Sequence, residues 1–202
     1  MNRLLVFVHF NKYDKISSHV YYQLEQIRPL FSKLIFVTNS QLSDKHTENL
    51  AKKGLINEFI QRQNQGYDFA AWKDGLLLEG FDNLDQYDSV TVMNDTCFGP
   101  LWDLEAYYKK YEEDVEVDFW GMTNHAEVKG HNIYIPEHLQ SYFISFKKSL
   151  VKSEIFKKFW SSVESYTDVQ KVIDEYDIDR ETAKRDIEKF IKMLEDNKLL
   201  EK

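Results

Sequence analysis

The chain opens on a short apolar run, Leu4-Leu5-Val6-Phe7-Val8, that stops at His9, Phe10 and Asn11. A run apolar on both faces predicts a central strand of a parallel sheet, covered by helices on either side. Val20, Leu24 and Ile27 then recur at helical spacing, with Ser17 or Ser18 placed to cap that helix and Pro29 marking its end. The alternation repeats. Residues 33–38 carry Leu34-Ile35-Phe36-Val37 and predict a second buried strand that ends in Asn39-Ser40. Residues 43–53 predict a helix closed by Gly54. Residues 57–62 read as a third, shorter strand, 64–67 as a loop, 69–79 as a helix, and 89–93 as a fourth strand ending in Asn94-Asp95.

Strand–helix units in succession imply an open sheet, parallel through this half, with right-handed crossovers. The predicted fold is α/β: an open, mostly parallel sheet flanked by helices, with a helical C-terminal appendage. In such sheets ligands bind beyond the carboxyl ends of the strands. The polar strand ends, at residues 9–11, 39–40, 64–68 and 94–96, therefore fall on one rim.

Beyond Pro100 the pattern loosens. It predicts a helix at 102–111, a strand at 118–123, a loop at 130–136, an alternating strand at 139–146 and a helix at 156–160. From about Asp168 aromatics thin out and Lys, Asp and Glu dominate, while Val172, Tyr176, Ile187, Phe190, Ile191 and Leu194 keep helical spacing. This divides the chain into a domain at 1–166 and a helical tail at 167–202.

Composition narrows the function classes. Hydrophobic residues make up 43% and aromatics 15% of 202 residues, enough to bury a full core without staples. A formal net charge of -8 argues against nucleic-acid binding, which needs a basic face. The single cysteine, Cys97, rules out an internal disulfide and points to the cytosol. The first apolar stretch is too short and too lightly charged for a signal peptide, and no apolar run approaches the roughly 20 residues that span a bilayer. Basic helices late in the chain leave room for peripheral contact with a membrane face.

Several residues could carry chemistry. Asp95 follows a buried strand, where a carboxylate is costly unless paired. A divalent cation bridging a diphosphate is one such partner, and hard oxygen ligands suit Mg²⁺ or Mn²⁺. Alternatively Asp95 caps the next turn while Asn94 bonds backbone. In Asn64-Gln65-Gly66-Tyr67-Asp68, Gly66 permits a close turn, and Asp68 could meet a sugar hydroxyl or cap the following helix. Lys73, beside Asp74, could reach a phosphate as a point charge or lie solvated on its helix. His9 to Asn11 form the loop that commonly meets a nucleotide in open α/β sheets, although a lone His is more often structural. His125, His131 and Glu127 lack the spacing of a zinc site. Glu137 or His138 could act as general base toward an acceptor hydroxyl. No dinucleotide-binding glycine pattern, Walker sequence or nucleophile elbow is present. Cys97 reads as a small apolar neighbour.

Five ordered segments resemble the rhamnan synthesis protein F family of bacterial glycosyltransferases. They are Val8-His9-Phe10-Asn11, the stretch from Asn64 through Gly66 and Asp68 to Trp72-Lys73-Asp74-Gly75, Asn94-Asp95-Thr96 with Phe98-Gly99-Pro100-Leu101, Asp118-Phe119-Trp120-Gly121-Met122-Thr123, and His138-Leu139-Gln140-Ser141-Tyr142-Phe143. The resemblance runs from the N-terminus to about Trp160, and the tail departs from it. It implies a GT-A-like nucleotide-diphospho-sugar fold and a role in assembling rhamnose-containing surface polysaccharide. The implied donor is dTDP-L-rhamnose, and the implied acceptor a glycan, lipid-linked at the cytoplasmic face of the membrane. Inverting transfer is also implied. In the wider pattern Asn11 closes the first loop, Asn39 holds the nucleoside, and the fourth strand carries an Asp-x-Asp metal motif. Here that motif is Asn94-Asp95-Thr96, with one firm carboxylate. The competing reading is a non-catalytic domain that holds a glycan or a partner on an aromatic rim formed by Tyr67, Trp72, Phe98, Trp102, Trp120, Tyr134 and Tyr142.

Overall fold

A run of strand formers with no polar face needs cover on both sides, and β1 (Arg3–His9) receives it, being buried along its whole length. In the computed structural model, which describes residues 1–130 and 134–165, β1 lies between two other buried strands. β2 (Lys33–Thr38) and β4 (Ser89–Asn94) pair with it in parallel, and β3 (Glu58–Gln61) adds to β2 at the edge, also in parallel. Successive side chains of β1 alternate between two cores. Leu5 and Phe7 face one core, with Val20, Leu24 and Ile27 of α1 (Ser18–Ile27) and Leu50 of α2 (Asp44–Lys52). Leu4, Val6 and Val8 face the other, with Ala71, Trp72 and Leu76 of α3 (Tyr67–Glu79).

Two glycines shape these helices. Gly54 adopts φ 67 and ends α2 in the left-handed region, as its position predicts. Gly75 lies where α3 crosses β1, and a Cβ there would stand 2.3 Å from Val6 Cγ1. Neither Ser17 nor Ser18 caps α1 through its side chain. Ser17 Oγ instead accepts from Asn11 Nδ2 at 3.1 Å, tying the helix start to the loop after β1.

The second half differs from its expected form. The predicted strand at 139–146 divides into β9 (His138–Leu139), a turn, and β10 (Phe143–Lys147). β10 runs antiparallel to β4 on one side and to β5 (Phe119–Gly121) on the other, giving the strand order β3-β2-β1-β4-β10-β5. The sheet is thus mixed, mostly parallel, and flanked by helices. β6 (Asn124–His125) pairs with β9 in a separate two-stranded ribbon. Helix α4 (Glu105–Glu113) starts later than predicted, because the Asp103 side chain accepts from Glu105 N–H at 2.9 Å and leaves Trp102 outside the helix. After β10 come α5 (Lys148–Val151) and α6 (Glu154–Ser162), the latter capped by Ser153.

Residues Met1–Ala126 and Glu137–Ser165 make up one unit, and Glu127–Pro136 falls outside it. Within that second stretch β7 (Val128–Lys129) pairs with β8 (Tyr134–Ile135), so strands occupy part of the predicted loop at 130–136. His131 and the predicted tail helices lie outside the described residues. Among the described residues no helix is long and apolar enough to cross a membrane.

Candidate functional site

The parallel strands all end on the same rim, and hydrogen bonds join their ends. Asn39 N–H donates to His9 C=O at 2.9 Å, and Asn11 N–H donates to Ser40 Oγ at 2.7 Å. The Ser40 hydroxyl in turn donates to Asn11 C=O at 3.0 Å. Asn11 is therefore a latch between β1 and β2, its side chain occupied by Ser17 and by Tyr13 N–H. Asn39 is buried, and its Oδ1 accepts from Arg62 at 2.8 Å.

Arg62, one residue beyond β3, is the organiser that sequence reading missed. It also pairs with Asp74 at 2.6 Å and donates to Gln65 C=O at 2.9 Å, so one guanidinium joins β2, α3 and the loop before α3. The positional rule that picked the other strand ends applies equally to Arg62. In the loop it holds, Asn64 is exposed, and Gly66 and Tyr67 both adopt positive φ (68 and 48). A Cβ on Gly66 would stand 2.6 Å from Ala70 Cβ. A left-handed backbone at a non-glycine residue is costly and is held only by its surroundings.

Trp72 fixes the next contact. Fully buried, it donates from Nε1 to Met93 C=O at 3.0 Å and so pins α3 to the end of β4. Asp68, one turn earlier on α3, then accepts from Asn94 Nδ2 at 2.8 Å. Asn94 Oδ1 accepts from Thr96 N–H and Oγ1, so Asn94 and not Asp95 shapes the turn. Asp95 instead reaches across the rim, where Oδ2 accepts from Phe10 N–H at 3.3 Å.

His9 lies beneath this carboxylate, fully buried. The Thr38 hydroxyl accepts from Ser40 N–H at 3.1 Å and shares a hydrogen bond with His9 Nδ1, 2.9 Å away. The other ring nitrogen, Nε2, faces Asp95 Oδ2 at 3.8 Å, too far for a direct hydrogen bond. Nε2 has no hydrogen-bond partner among the described residues. Burial lowers the His9 pKa to about 4, so the ring is neutral near pH 7. Burial raises the Asp95 pKa to about 7, with the charge of Asp68 adding to the rise, and burial raises the Asp68 pKa as well. The structure thus supplies a second carboxylate beside Asp95, from a helix rather than from the strand end. Neither carboxylate has an Arg or Lys partner among the described residues.

The remaining candidates lie elsewhere. Lys73 donates to the C=O groups of Ser161 and Val163 at 2.9 and 2.8 Å, closing the C-terminal end of α6. Glu137 accepts from Asn124 Nδ2, and His138 stacks on His125 with ring centroids 5.0 Å apart, both within the β6–β9 ribbon. No described contact brings Glu137 or His138 to Asp95. The aromatic rim is smaller than expected, because Trp72 and Trp120 are core residues, whereas Phe98 and Trp102 are exposed. These two help line a cavity of about 320 Å³ that Cys97, Met93, Tyr142 and Gln23 also border. Gln23 is buried, and its Oε1 has no hydrogen-bond partner among the described residues.

Comparison with known proteins places the chain in a family. The family model for rhamnan synthesis protein F matches residues 34–192, and the chain belongs to that family. The match passes Trp160 and takes in much of the stretch that sequence reading had set apart from it. An uncharacterized protein, y4gN, of Sinorhizobium fredii is 27% identical over 157 residues, covering 76% of this chain and 38% of that protein. Virulence protein VirA of Vibrio anguillarum is 33% identical over 120 residues, covering 57% of this chain and 34% of that protein. The chain therefore spans well under half the length of these curated relatives. Among solved structures, core-mannan synthase A of Aspergillus fumigatus in its Mn/GDP form overlaps with a TM-score of 0.41 at 7% identity, covering 78% of this chain and 63% of that one.

Proposed function

We propose that this member of the rhamnan synthesis protein F family is a GT-A-like glycosyltransferase. It moves a deoxyhexose, L-rhamnose, from a nucleoside-diphosphate donor, dTDP-rhamnose, to a growing surface polysaccharide. The observation that carries the reading is the Asp68–Asp95 pair. Two carboxyls whose pKa burial raises, with no Arg or Lys partner among the described residues, stand at the carboxyl rim of a parallel sheet, where open α/β folds bind ligands.

The two carboxylates fit a divalent cation of the Mg²⁺ or Mn²⁺ type, which takes one or two carboxylates and completes its shell with phosphate oxygens and water. Asp68 and Asp95 would hold such an ion, which would supply Lewis-acid stabilisation of the departing diphosphate. The chain's own residues do the positioning. Phe10 N–H holds Asp95 by Oδ2, with the neutral His9 ring packed beneath it. Asn94 fixes Asp68 against the same point. Arg62 holds Asn39 and the loop of residues 64–66, which on this reading border the nucleoside and the sugar. Asn11 acts by latching the first two strands. The His19 ring approaches the Asp95 backbone oxygen at 3.4 Å, but no contact assigns it as base, so inverting transfer rests on family resemblance alone. The reading sets the reaction at the cytoplasmic face of a membrane, with a lipid-linked acceptor.

A ligand that binds only the native state raises the melting temperature. dTDP-L-rhamnose with Mn²⁺ is expected to do so for the wild-type chain, and Asp95→Asn to abolish the shift. Equal shifts in both proteins, or none in either, would remove the donor site from this rim. A non-catalytic glycan-binding role is favoured by one observation, the exposure of Phe98 and Trp102. Glycan binding without any response to nucleotide would select it.

A further inference from the structure

Large apolar side chains gain by leaving water, yet Phe98 is 79% exposed, Leu101 76% and Trp102 61%. The three fall within five residues in the loop after β4, and they help to line the cavity of about 320 Å³, which has no charged residue in its wall. The other tryptophans of the chain, Trp72, Trp120 and Trp160, are all buried. One exposed leucine needs no explanation, but adjoining large apolar residues mark a surface that meets a partner. Asp103, next in the chain, is engaged by Glu105 N–H at 2.9 Å.

A second loop stands beside this one. β1 and β4 run parallel, so the loop after β1 begins on the same rim. Phe10 N–H reaches Asp95 Oδ2 at 3.3 Å. Helix α1 then touches the loop after β4 twice. The His19 ring lies 4.8 Å from the Phe98 ring, and the Tyr22 hydroxyl donates to Pro100 C=O at 3.4 Å. The loop after β1 carries exposed Phe10 and Tyr13 together with exposed Lys12 and Lys15, whose ammonium groups lie 4.9 and 5.6 Å from the centre of the Tyr13 ring. Its one acidic residue, Asp14, accepts from Gln41 N–H at 2.8 Å. On a chain of net charge -8, this loop pairs aromatic rings with a local excess of positive charge. Such groups settle at the boundary of a bilayer. Trp and Tyr lie at headgroup level, Leu and Phe go deeper, and lysines draw on the negative potential of anionic lipids. A second copy of the chain fits less well, since it brings the same lysines to those already there.

We propose that the loops of residues 10–15 and 97–102 form a docking surface for an anionic lipid bilayer: Phe98, Leu101 and Trp102 enter the interface, and Lys12 and Lys15 meet the headgroups. It is built from other residues than the predicted basic helices late in the chain. The inference deepens the donor reading and rests on it for its purpose, because docking by this edge turns the Asp68–Asp95 rim toward the membrane.

The test is flotation with vesicles of phosphatidylcholine alone and of an equimolar mixture with phosphatidylglycerol. The chain should float with the mixed vesicles and far less with the neutral ones. Tryptophan emission should shift to the blue and be quenched by brominated acyl chains. Both signals should vanish in Trp102→Phe while flotation remains, because the other tryptophans are buried. Leu101→Asp should weaken partitioning on the order of tenfold, and so should Lys12→Gln combined with Lys15→Gln. All these side chains are exposed, so the variants should melt as wild type does, and dTDP-L-rhamnose with Mn²⁺ should still raise their melting temperature without vesicles. No flotation, equal flotation with neutral vesicles, or flotation that ignores Leu101→Asp or the lysine pair overturns the docking surface and leaves the donor reading standing. Self-association that is lost in Leu101→Asp, without flotation, gives the surface to a second copy and overturns it as well. Flotation that depends on these residues, with no donor response in any of the proteins, upholds the docking surface and sinks the donor reading instead.

Discussion

Strand β1 begins on one buried ionisable residue and ends on another, and its two ends treat them in opposite ways. At the amino end, Arg3 is 4% exposed and fully engaged. Its guanidinium pairs with Glu112 at 2.7 Å and Glu105 at 2.8 Å, and lies over the Tyr108 ring at 4.4 Å. Hydrogen bonds to Glu112 raise the Arg3 pKa despite burial. At the carboxyl end, His9 is driven neutral and Asp95 is held back from ionising, with no Arg or Lys paired to either among the described residues. The amino end is closed within the protein, as a structural ion pair should be. The carboxyl end leaves its electrostatic requirement open, and a ligand is what can meet it. Buried groups with strongly perturbed protonation cluster at functional sites for this reason.

Four measurements can break or sharpen the contrast. The largest effect is expected at the amino end. Arg3→Met leaves Glu112 buried without its cation and should cost about 3–5 kcal/mol in denaturant unfolding, with donor affinity of the folded fraction unchanged. A loss below 1 kcal/mol would show that this end is not closed as described. At the carboxyl end the balance should reverse. Asp95→Asn is expected to lower sugar transfer from dTDP-rhamnose on the order of 100-fold while unfolding at pH 8 needs no less denaturant than wild type.

Third is the pH dependence. The folded pKa of Asp95, about 7, lies above its ordinary value of 3.8, so its contribution to stability is present at low pH and lost as pH rises through 7. Asp95→Asn should therefore gain on wild type by about 2 kcal/mol between pH 5 and pH 8. His9 runs the other way. Its folded pKa of about 4 lies below 6.5, so its cost appears as pH falls from 6.5 through 4, and His9→Gln should gain on wild type only over that acid range. A stability difference that does not change with pH would place both groups in ordinary solvent. The smallest effect is expected for Lys73→Met. It removes charge-assisted hydrogen bonds to the end of α6 and should cost about 1–2 kcal/mol without changing donor affinity. A loss of donor affinity would restore Lys73 to the phosphate role that its position on α3 suggested.

Much of the first half was legible because its signals are local. Residues 33–38 are apolar on both faces and became a central strand with the predicted ends. Gly54 stops α2 because its backbone is free to turn left-handed. The second half was less legible because its pairing is long-range. The run 139–146 alternates like one strand, yet Gln140 N–H bonds Thr123 C=O while Asn94 N–H bonds Tyr142 C=O, so the run is shared between two sheets and must turn between them. No period along the chain carries that information.

The sequence by itself determined that Asp95 ends a buried strand, and that the strand ends of a parallel sheet share a rim, because hydrophobic period and strand direction follow from neighbouring residues. It did not determine which groups meet Asp95 there. Asp68 arrives because the Trp72 indole bonds the Met93 carbonyl and sets α3 against β4. His9 arrives because β1 and β4 pair in parallel. Gln23 joins the wall of the neighbouring cavity from α1. Each of these contacts joins residues far apart in the chain, and only packing can set such distances.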